Sequence, residues 1–429
     1  MSLADQCRQW LGTDFPSQLQ LENLRYYQYS AVDKSYVTKY ILRHYWNWAI
    51  ELFPLWIAPN LITLIGLFFM IFNIGLVYIY SNDFIQEAPS WVYLSFAIGL
   101  WLYSTFDNVD GKQARRTGTS SPLGELFDHG CDALNTTYIT ILQIAAFGLG
   151  NQGTLMILLF MTTTSGFFLS TIEEYYTGIL YLGYVNGPTE GLILTCFAFL
   201  WTWWYGMNSW QVPFSDLDSS SVVVSFLINW LGVPPETTTG AHVFVWGTVI
   251  FFFVTHLPVV LYAIWKACEK KKLHPGEVLY GSMLPIVIFS FAQYYWCLSS
   301  YSIIFSHHHF LLFALTNGTL FGLMVSSVIL NHLTKQPFPN LFILVTPVMI
   351  MAVLINAPNI IGFQLISPHM ELVLLWTQFI AYTIGYGIWI ILVIDGFCKY
   401  LGIQCLVIPK PKNDELDHLE QGNTSAFIS

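Results

Sequence analysis

The chain has 429 residues, of which 55% are hydrophobic, 17% aromatic and only 10% charged. A soluble domain carries about 25% charged residues, so this composition belongs to a bilayer protein and excludes disordered, collagen-like and secreted disulfide-framework classes. The formal net charge of -10 comes from few ionised groups, whose placement says more than their sum, and nothing in it points to nucleic acid.

The first residues, MSLADQCRQWLGTDF, have no apolar stretch and do not read as a cleavable signal, so the spans themselves must drive insertion. Tyr36 to Leu55, aromatic and apolar with Lys39, Arg43 and Glu51, reads as an amphipathic helix lying on the cytoplasmic face. A span needs about 20 apolar residues, and about ten candidates follow. They are Leu61 to Tyr80, Trp91 to Phe106, Ala133 to Leu149, Leu155 to Ile172 and Gly191 to Tyr205. Then come His242 to Trp265, Val278 to Cys297, Phe310 to Leu330, Leu341 to Ile361 and Leu372 to Ile394. Val222 to Val233 reads as a lumenal or re-entrant segment, and the polar tail from Pro409 as disordered.

The expected fold is all-α: a polytopic integral membrane protein with its active site on the cytoplasmic face. Residues 1–60 form the cytoplasmic N-terminal segment, 61–210 the catalytic core, 211–398 the remaining transmembrane helices and 399–429 the cytoplasmic tail. Placement of positive charge agrees. Lys112, Arg115 and Arg116 follow the second span, Lys266 and Lys270 to Lys272 the sixth, Lys335 the eighth and Lys399, Lys410 and Lys412 the tenth, whereas the proposed lumenal loops hold none. The scattered cysteines have no Cys-x-x-Cys spacing and indicate neither zinc nor a disulfide framework. The His307 to His309 run falls in a predicted lumenal loop, away from the acids described next.

One loop differs from anything needed merely to span a membrane: from Asp107 it reads DNVDGKQARRTGTSSPLGELFDHGCD. Asp107 and Asp110 are three apart and Asp128 and Asp132 four apart, so each pair projects from one face of its helix. Ser121 and Pro122 mark the start of the second helix as N-cap and first residue. Four carboxylates at a membrane edge repel unless a cation neutralises them, and oxygen-only ligation selects hard ions, Mg2+ or Mn2+. Two such ions about 3.5 to 4 Å apart clamp both oxygens of a phosphoryl displacement. Gly111, Ala114 and Gly124 leave room for a diphosphate, Arg115 can grip phosphate oxygens bidentately and Lys112 adds charge. No serine or cysteine nucleophile stands out, so the attacking group is a substrate hydroxyl that needs a base. His129 suits that role, and Glu125, one turn back, can hydrogen-bond its imidazole.

The pattern Asp107-x2-Asp110-Gly111-x2-Ala114-Arg115-x8-Gly124-x3-Asp128-x3-Asp132 resembles in full the signature of the CDP-alcohol phosphotransferase family. The surrounding words, with WIAPNLIT upstream, resemble its eukaryotic choline and ethanolamine phosphotransferases, as do YYQYSAVD at Tyr26 and NGPTEG at Asn186. The resemblance implies transfer of phosphocholine or phosphoethanolamine from CDP-choline or CDP-ethanolamine to diacylglycerol, releasing CMP. It implies two Mg2+ ions, or Mn2+, on Asp107, Asp110, Asp128 and Asp132. It makes Arg115 a ligand of the diphosphate, His129 the proton acceptor and Glu125 its tuner. Asn60 becomes a contact of the CDP-alcohol, although from helix-end geometry alone it reads as an N-cap after Pro59. Membrane lipid as partner, a homodimer, residence in the endoplasmic reticulum or Golgi and direct in-line attack without a covalent enzyme intermediate are implied as well. Transfer of another CDP-alcohol is the alternative within this class. An ion-coupled transporter is the alternative outside it, and it predicts mid-span acids that the later spans almost entirely lack.

Overall fold

The computed structural model describes residues 2–217, 228 and 232–408. Most of Val222 to Val233 and all of the tail from Pro409 lie outside the described residues.

Three short helices come first: α1 (Leu3–Leu11), α2 (Gln18–Asn23) and α3 (Arg43–Ala49). α3 is the middle of one nearly continuous helical stretch that begins with a wide turn at Thr38–Leu42 and ends with a tight one at Ile50–Leu52. This stretch is the predicted surface helix. It buries Trp46, Ala49 and Ile50 and leaves Tyr40, Ile41 and Trp48 exposed, an apolar outer face suited to lipid headgroup depth.

The long helices follow as α4 (Pro59–Tyr80), α5 (Ser90–Thr117), α6 (Pro122–Phe147), α7 (Gly153–Thr177) and α8 (Leu192–Tyr205). After them come α9 (Gly240–Lys271), α10 (Pro275–Cys297), α11 (Phe310–Leu333), α12 (Phe342–Ile355) and α13 (Pro368–Leu401). Nine of the ten expected spans each fall on one of these helices to within a residue or two. Six of them, α4, α7, α9, α10, α11 and α13, are long and apolar enough to cross a membrane by length and composition, and α12 is a shorter apolar helix. The chain is therefore an integral membrane protein. The expected segment Leu341 to Ile361 is not one helix: it breaks at Asn356, ahead of Pro358, where the chain restarts as a short turn of helix at Ala357–Ile361. One small departure from all-α is a two-stranded parallel sheet, β1 (Ala31–Asp33) with β2 (Leu180–Leu182).

Helix α6 lies at the centre, packed on α4, α7, α8 and α11, and α5 is sandwiched by α4 and α8. The core is built from fully buried rings, among them Phe96, Phe147, Phe160, Phe168 and Phe321, while Phe68, Phe72, Trp204 and Ile250 face outward. Close approach of α6 to α11 depends on Gly318, because a Cβ there would sit 2.4 Å from Thr137 Cγ2. At the end of the bundle away from the aspartates, the buried Glu371 carboxylate accepts from Trp296 Nε1 at 2.7 Å, Ser302 Oγ at 2.8 Å and the Ile303 amide at 3.0 Å. These bonds tie the start of α13 to the end of α10. His308 belongs to this same end, and the histidine run is remote from the aspartates, as expected.

Candidate active site

The site is made by two helices that meet at their polar ends. α5 runs through Asp107 and Asp110 and stops at Gly118, whose φ of 67° reverses the chain. α6 starts four residues later. Ser121 accepts from the Gly124 amide at 3.2 Å and Pro122 occupies the first helical position, as predicted.

Asp107, Asp128 and Asp132 each bring a carboxylate oxygen within 4.8 Å of the others. Asp107 Oδ1 and Asp128 Oδ1 are buried without a hydrogen-bond partner. Buried acceptors are ordinarily paired, and like charges this close repel, so this donor set fits a hard divalent cation. Asp110 lies beside the triplet but turns its carboxylate to the Thr63 hydroxyl of α4, and Tyr103 donates to Asp132.

Around the acids, Gly111 lies under the Arg115 guanidinium, 3.6 Å from where a Cβ would be, and Gly124 lies against Asn60 Oδ1 at the same distance. Ala114 is half-buried beside them. Arg115 is exposed and has no carboxylate partner among the described residues, so its guanidinium is available to an anion.

Two expectations about these flanking residues need correction. Lys112 donates to Asn47 Oδ1 on α3 at 2.8 Å and does not face the acids. Five residues on from Asp107 the helix has turned about 140°, which points Lys112 at the surface helix. Asn60 is not an N-cap: Ala58 caps α4, Pro59 takes the first position and Asn60 follows inside the first turn. Proline is favoured at that first position because its missing N–H would be unpaired anyway, and the Asn60 side chain is thereby left to face Gly124 and Cys405.

The largest correction concerns the partner of His129. Its Nδ1 lies 3.0 Å from the backbone carbonyl of Glu125, not from the Glu125 carboxylate. Its Nε2 lies 3.0 Å from Glu174 Oε2, a carboxylate from α7 that sequence reading passed over. The Glu125 carboxylate instead accepts from the Tyr27 hydroxyl at 2.7 Å. One turn apart on a helix, an imidazole reaches the carbonyl behind it more readily than the side chain. Nδ1 facing a carbonyl must carry hydrogen, so His129 and Glu174 share a single proton between Nε2 and Oε2. The pair is buried. Burial and then the Glu125 charge hold the Tyr27 phenol well above its usual range, which keeps it a donor.

Glu173 and Glu174 are the only acids in α7, and an acid in a long apolar helix is itself a signal of function. Tyr175 and Tyr176, next along α7, pack with Phe338, and Tyr175 donates to the Gln336 carbonyl at 2.7 Å.

The CDP-alcohol phosphatidyltransferase family model matches residues 56–215, the span of sequence that contains the whole acidic cluster. An uncharacterized CDP-alcohol phosphatidyltransferase class-I family protein of Schizosaccharomyces pombe is 37% identical over 92% of this chain and 98% of its own length. Cholinephosphotransferase 1 of Saccharomyces cerevisiae is 36% identical over 76% of this chain and 80% of its own. Ethanolaminephosphotransferase 1 of Homo sapiens is 28% identical over 94% and 97% respectively. The chain belongs to the CDP-alcohol phosphatidyltransferase family.

Proposed function

We propose that this protein transfers phosphocholine or phosphoethanolamine from CDP-choline or CDP-ethanolamine to the free hydroxyl of diacylglycerol, giving phosphatidylcholine or phosphatidylethanolamine and CMP. The observation that carries the reading is the meeting of three carboxylates, two with unpaired buried oxygens, beside a histidine held by a carboxylate. The names of the relatives support the same transfer. Mg2+ or Mn2+ held by Asp107, Asp128 and Asp132, with Asp110 alongside, would neutralise the donor diphosphate and the charge that develops on departing CMP.

The protein's own groups do the rest. Arg115 takes phosphate oxygens in a fork and Asn60 contacts the donor over Gly124, while Gly111 and Ala114 keep the approach open. Proton acceptance belongs to the His129 and Glu174 pair: both ring nitrogens of His129 donate, Nδ1 to the Glu125 carbonyl and Nε2 to Glu174, and the hydroxyl proton is received on the Glu174 carboxylate that the imidazole holds in place. The hydroxyl oxygen then attacks the phosphorus that bears the amino alcohol, opposite the CMP oxygen, and no enzyme nucleophile intervenes.

The same reading gives ten crossings, with both termini and the site facing the cytosol in the endoplasmic reticulum or Golgi, and a homodimer in the membrane. Residues 61–210 would then be the catalytic core and 211–398 its supporting helices. The test is CMP release by purified protein in mixed micelles of diacylglycerol with Mg2+, offering CDP-choline and CDP-ethanolamine separately and together. Turnover of both defines a dual-specificity transferase, and turnover of one names its headgroup. Absence of CMP from both, with Mn2+ also tried, would move the donor to another CDP-alcohol or favour a non-enzyme.

A further inference from the structure

The N-terminal residues up to Ser35 do not hang from the bundle: they cross the face that holds the site, touching one helix end after another. At the start, Arg8 Nη1 pairs with Asp395 Oδ2 of α13 at 2.6 Å, and Lys399 Nζ bridges Asp395 at 2.9 Å and Asp5 at 2.8 Å. A second Arg8 nitrogen donates to the Leu392 carbonyl at 3.2 Å. Pro16 then lies on Gly396, where a Cβ would stand 2.9 Å from Pro16 Cδ. Asn23 donates to the Thr334 carbonyl at the end of α11 at 2.8 Å. Next comes Tyr27, bonded to Glu125 at 2.7 Å, and then β1, paired with β2 just after the helix that carries Glu174. Finally Ser35 donates to Glu190 and Thr38 meets Thr189, so the residues just after YYQYSAVD meet NGPTEG in space.

We propose that residues 3–35 are a strap that completes the active site, anchored on α13 by Arg8, Asp5, Asp395 and Lys399, and that Tyr27 is its positioning residue. This rests on the assignment of His129 and Glu174 to proton acceptance. The Glu125 carboxylate is buried next to that pair. Held by Tyr27, it stays off the imidazole, and its carbonyl is kept in place for Nδ1. Released, it is an unpaired buried carboxylate whose nearest donor is the imidazole that Glu174 holds, and the two acids compete for one ring. The strap reaches the site from a distant anchor, so geometry at α13 sets geometry at α6. Contact with Lys399 holds the Asp5 carboxyl well below its usual range, so the anchor stays ionised into acid pH, where an ordinary aspartate would be protonated.

Tyr27→Phe keeps the ring and removes only the donor. A hydrogen bond to a charged group contributes about 1.5 to 3 kcal/mol, so kcat for CMP release should fall about 10- to 100-fold, with KM for the CDP-alcohol and the half-saturating Mg2+ within about twofold of wild type. In a Glu125→Ala background there is no carboxylate to misplace, and the further loss from Tyr27→Phe should shrink to less than about twofold. Asp395→Ala, at the anchor, should lower kcat in the same way and speed tryptic cleavage after Arg25 in the intact, detergent-solubilised protein. Wild-type kcat in Tyr27→Phe overturns the role of Tyr27, as does an equal loss in the Glu125→Ala background, and wild-type kcat in Asp395→Ala overturns the anchor. If His129→Ala retains full turnover, the base assignment itself fails, which is a different result from failure of the strap.

Discussion

At the scale of single residues, the His129 and Glu174 contact changes what mutations should do. The shared proton needs a carboxylate at position 174, and an amide there keeps the size but loses the charge. Glu174→Gln should lower kcat about 100-fold or more, within the range general-base groups contribute, while Glu125→Gln, whose amide oxygen can still accept from Tyr27, should cost less than about tenfold. CMP-release kinetics on the two variants check the order, and a reversal would return the base-tuning role to Glu125. Asp128→Ala should lose Mg2+-dependent CDP-choline binding in calorimetric titration, whereas His129→Ala should bind the donor nearly as wild type and turn over at least about 100-fold more slowly. Equal donor binding in Asp128→Ala and wild type would remove Asp128 from the cation site. The aspartates, His129 and the two glycines were legible in the sequence because they fall within one short run whose spacing carries their geometry. Glu174, Tyr27 and Thr63 come from other elements, and Tyr103, one turn ahead of Asp107 on α5, donates across to Asp132 on α6; no local spacing tells which side chain of another helix meets the run. Glu174 carried one signal of its own, as an acid in an apolar helix.

Elements were legible to the extent that hydrophobic length and end chemistry define them. Ser121 and Pro122 marked the start of α6 correctly, while at α4 the same logic applied to Pro59 and Asn60 fell two positions off, since the proline itself holds the first helical place and Ala58 caps it. The break at Asn356 was missed because both sides of it are equally apolar. What hydrophobic length cannot express is which helices touch, and here the contact of α6 with α11 decides where Asp128, His129 and Asp132 stand. Gly318 is its tightest point. Gly318→Ala puts a methyl carbon 2.4 Å from Thr137 Cγ2 and 2.6 Å from its Oγ1, so a helix must shift. Overpacking of this kind costs about 1 to 3 kcal/mol. The variant should melt lower in detergent and turn over more slowly, and Thr137→Ala in the same chain should restore part of both. A Gly318→Ala protein with wild-type melting temperature would show that the two helices have room to separate.

Across the whole molecule, charge and packing divide the protein into two unlike ends. The end with the site gathers Arg115, Arg116, Lys271, Lys272, Lys335 and Lys399, together with the basic residues of the strap and surface helix. Among the described residues, the other end is held without any lysine or arginine. Glu87 accepts from the Met207 amide at 2.8 Å, the Gly150 amide donates to the Phe84 carbonyl at 3.0 Å, and Glu371 gathers its three donors. Translocating a loop without positive charge is the easier course, so the orientation we propose keeps the basic end in the cytosol, where a water-soluble CDP-alcohol would reach the cluster while diacylglycerol would arrive from the bilayer. Single cysteines test this orientation directly. In sealed microsomes, a membrane-impermeant maleimide should label Lys272→Cys above the parent protein, and should label Ser300→Cys only after detergent opens the vesicles, since both positions are exposed but lie at opposite ends. Labelling of Ser300→Cys in intact vesicles would reverse the orientation, and the aspartates would then face the lumen, out of reach of a donor made in the cytosol.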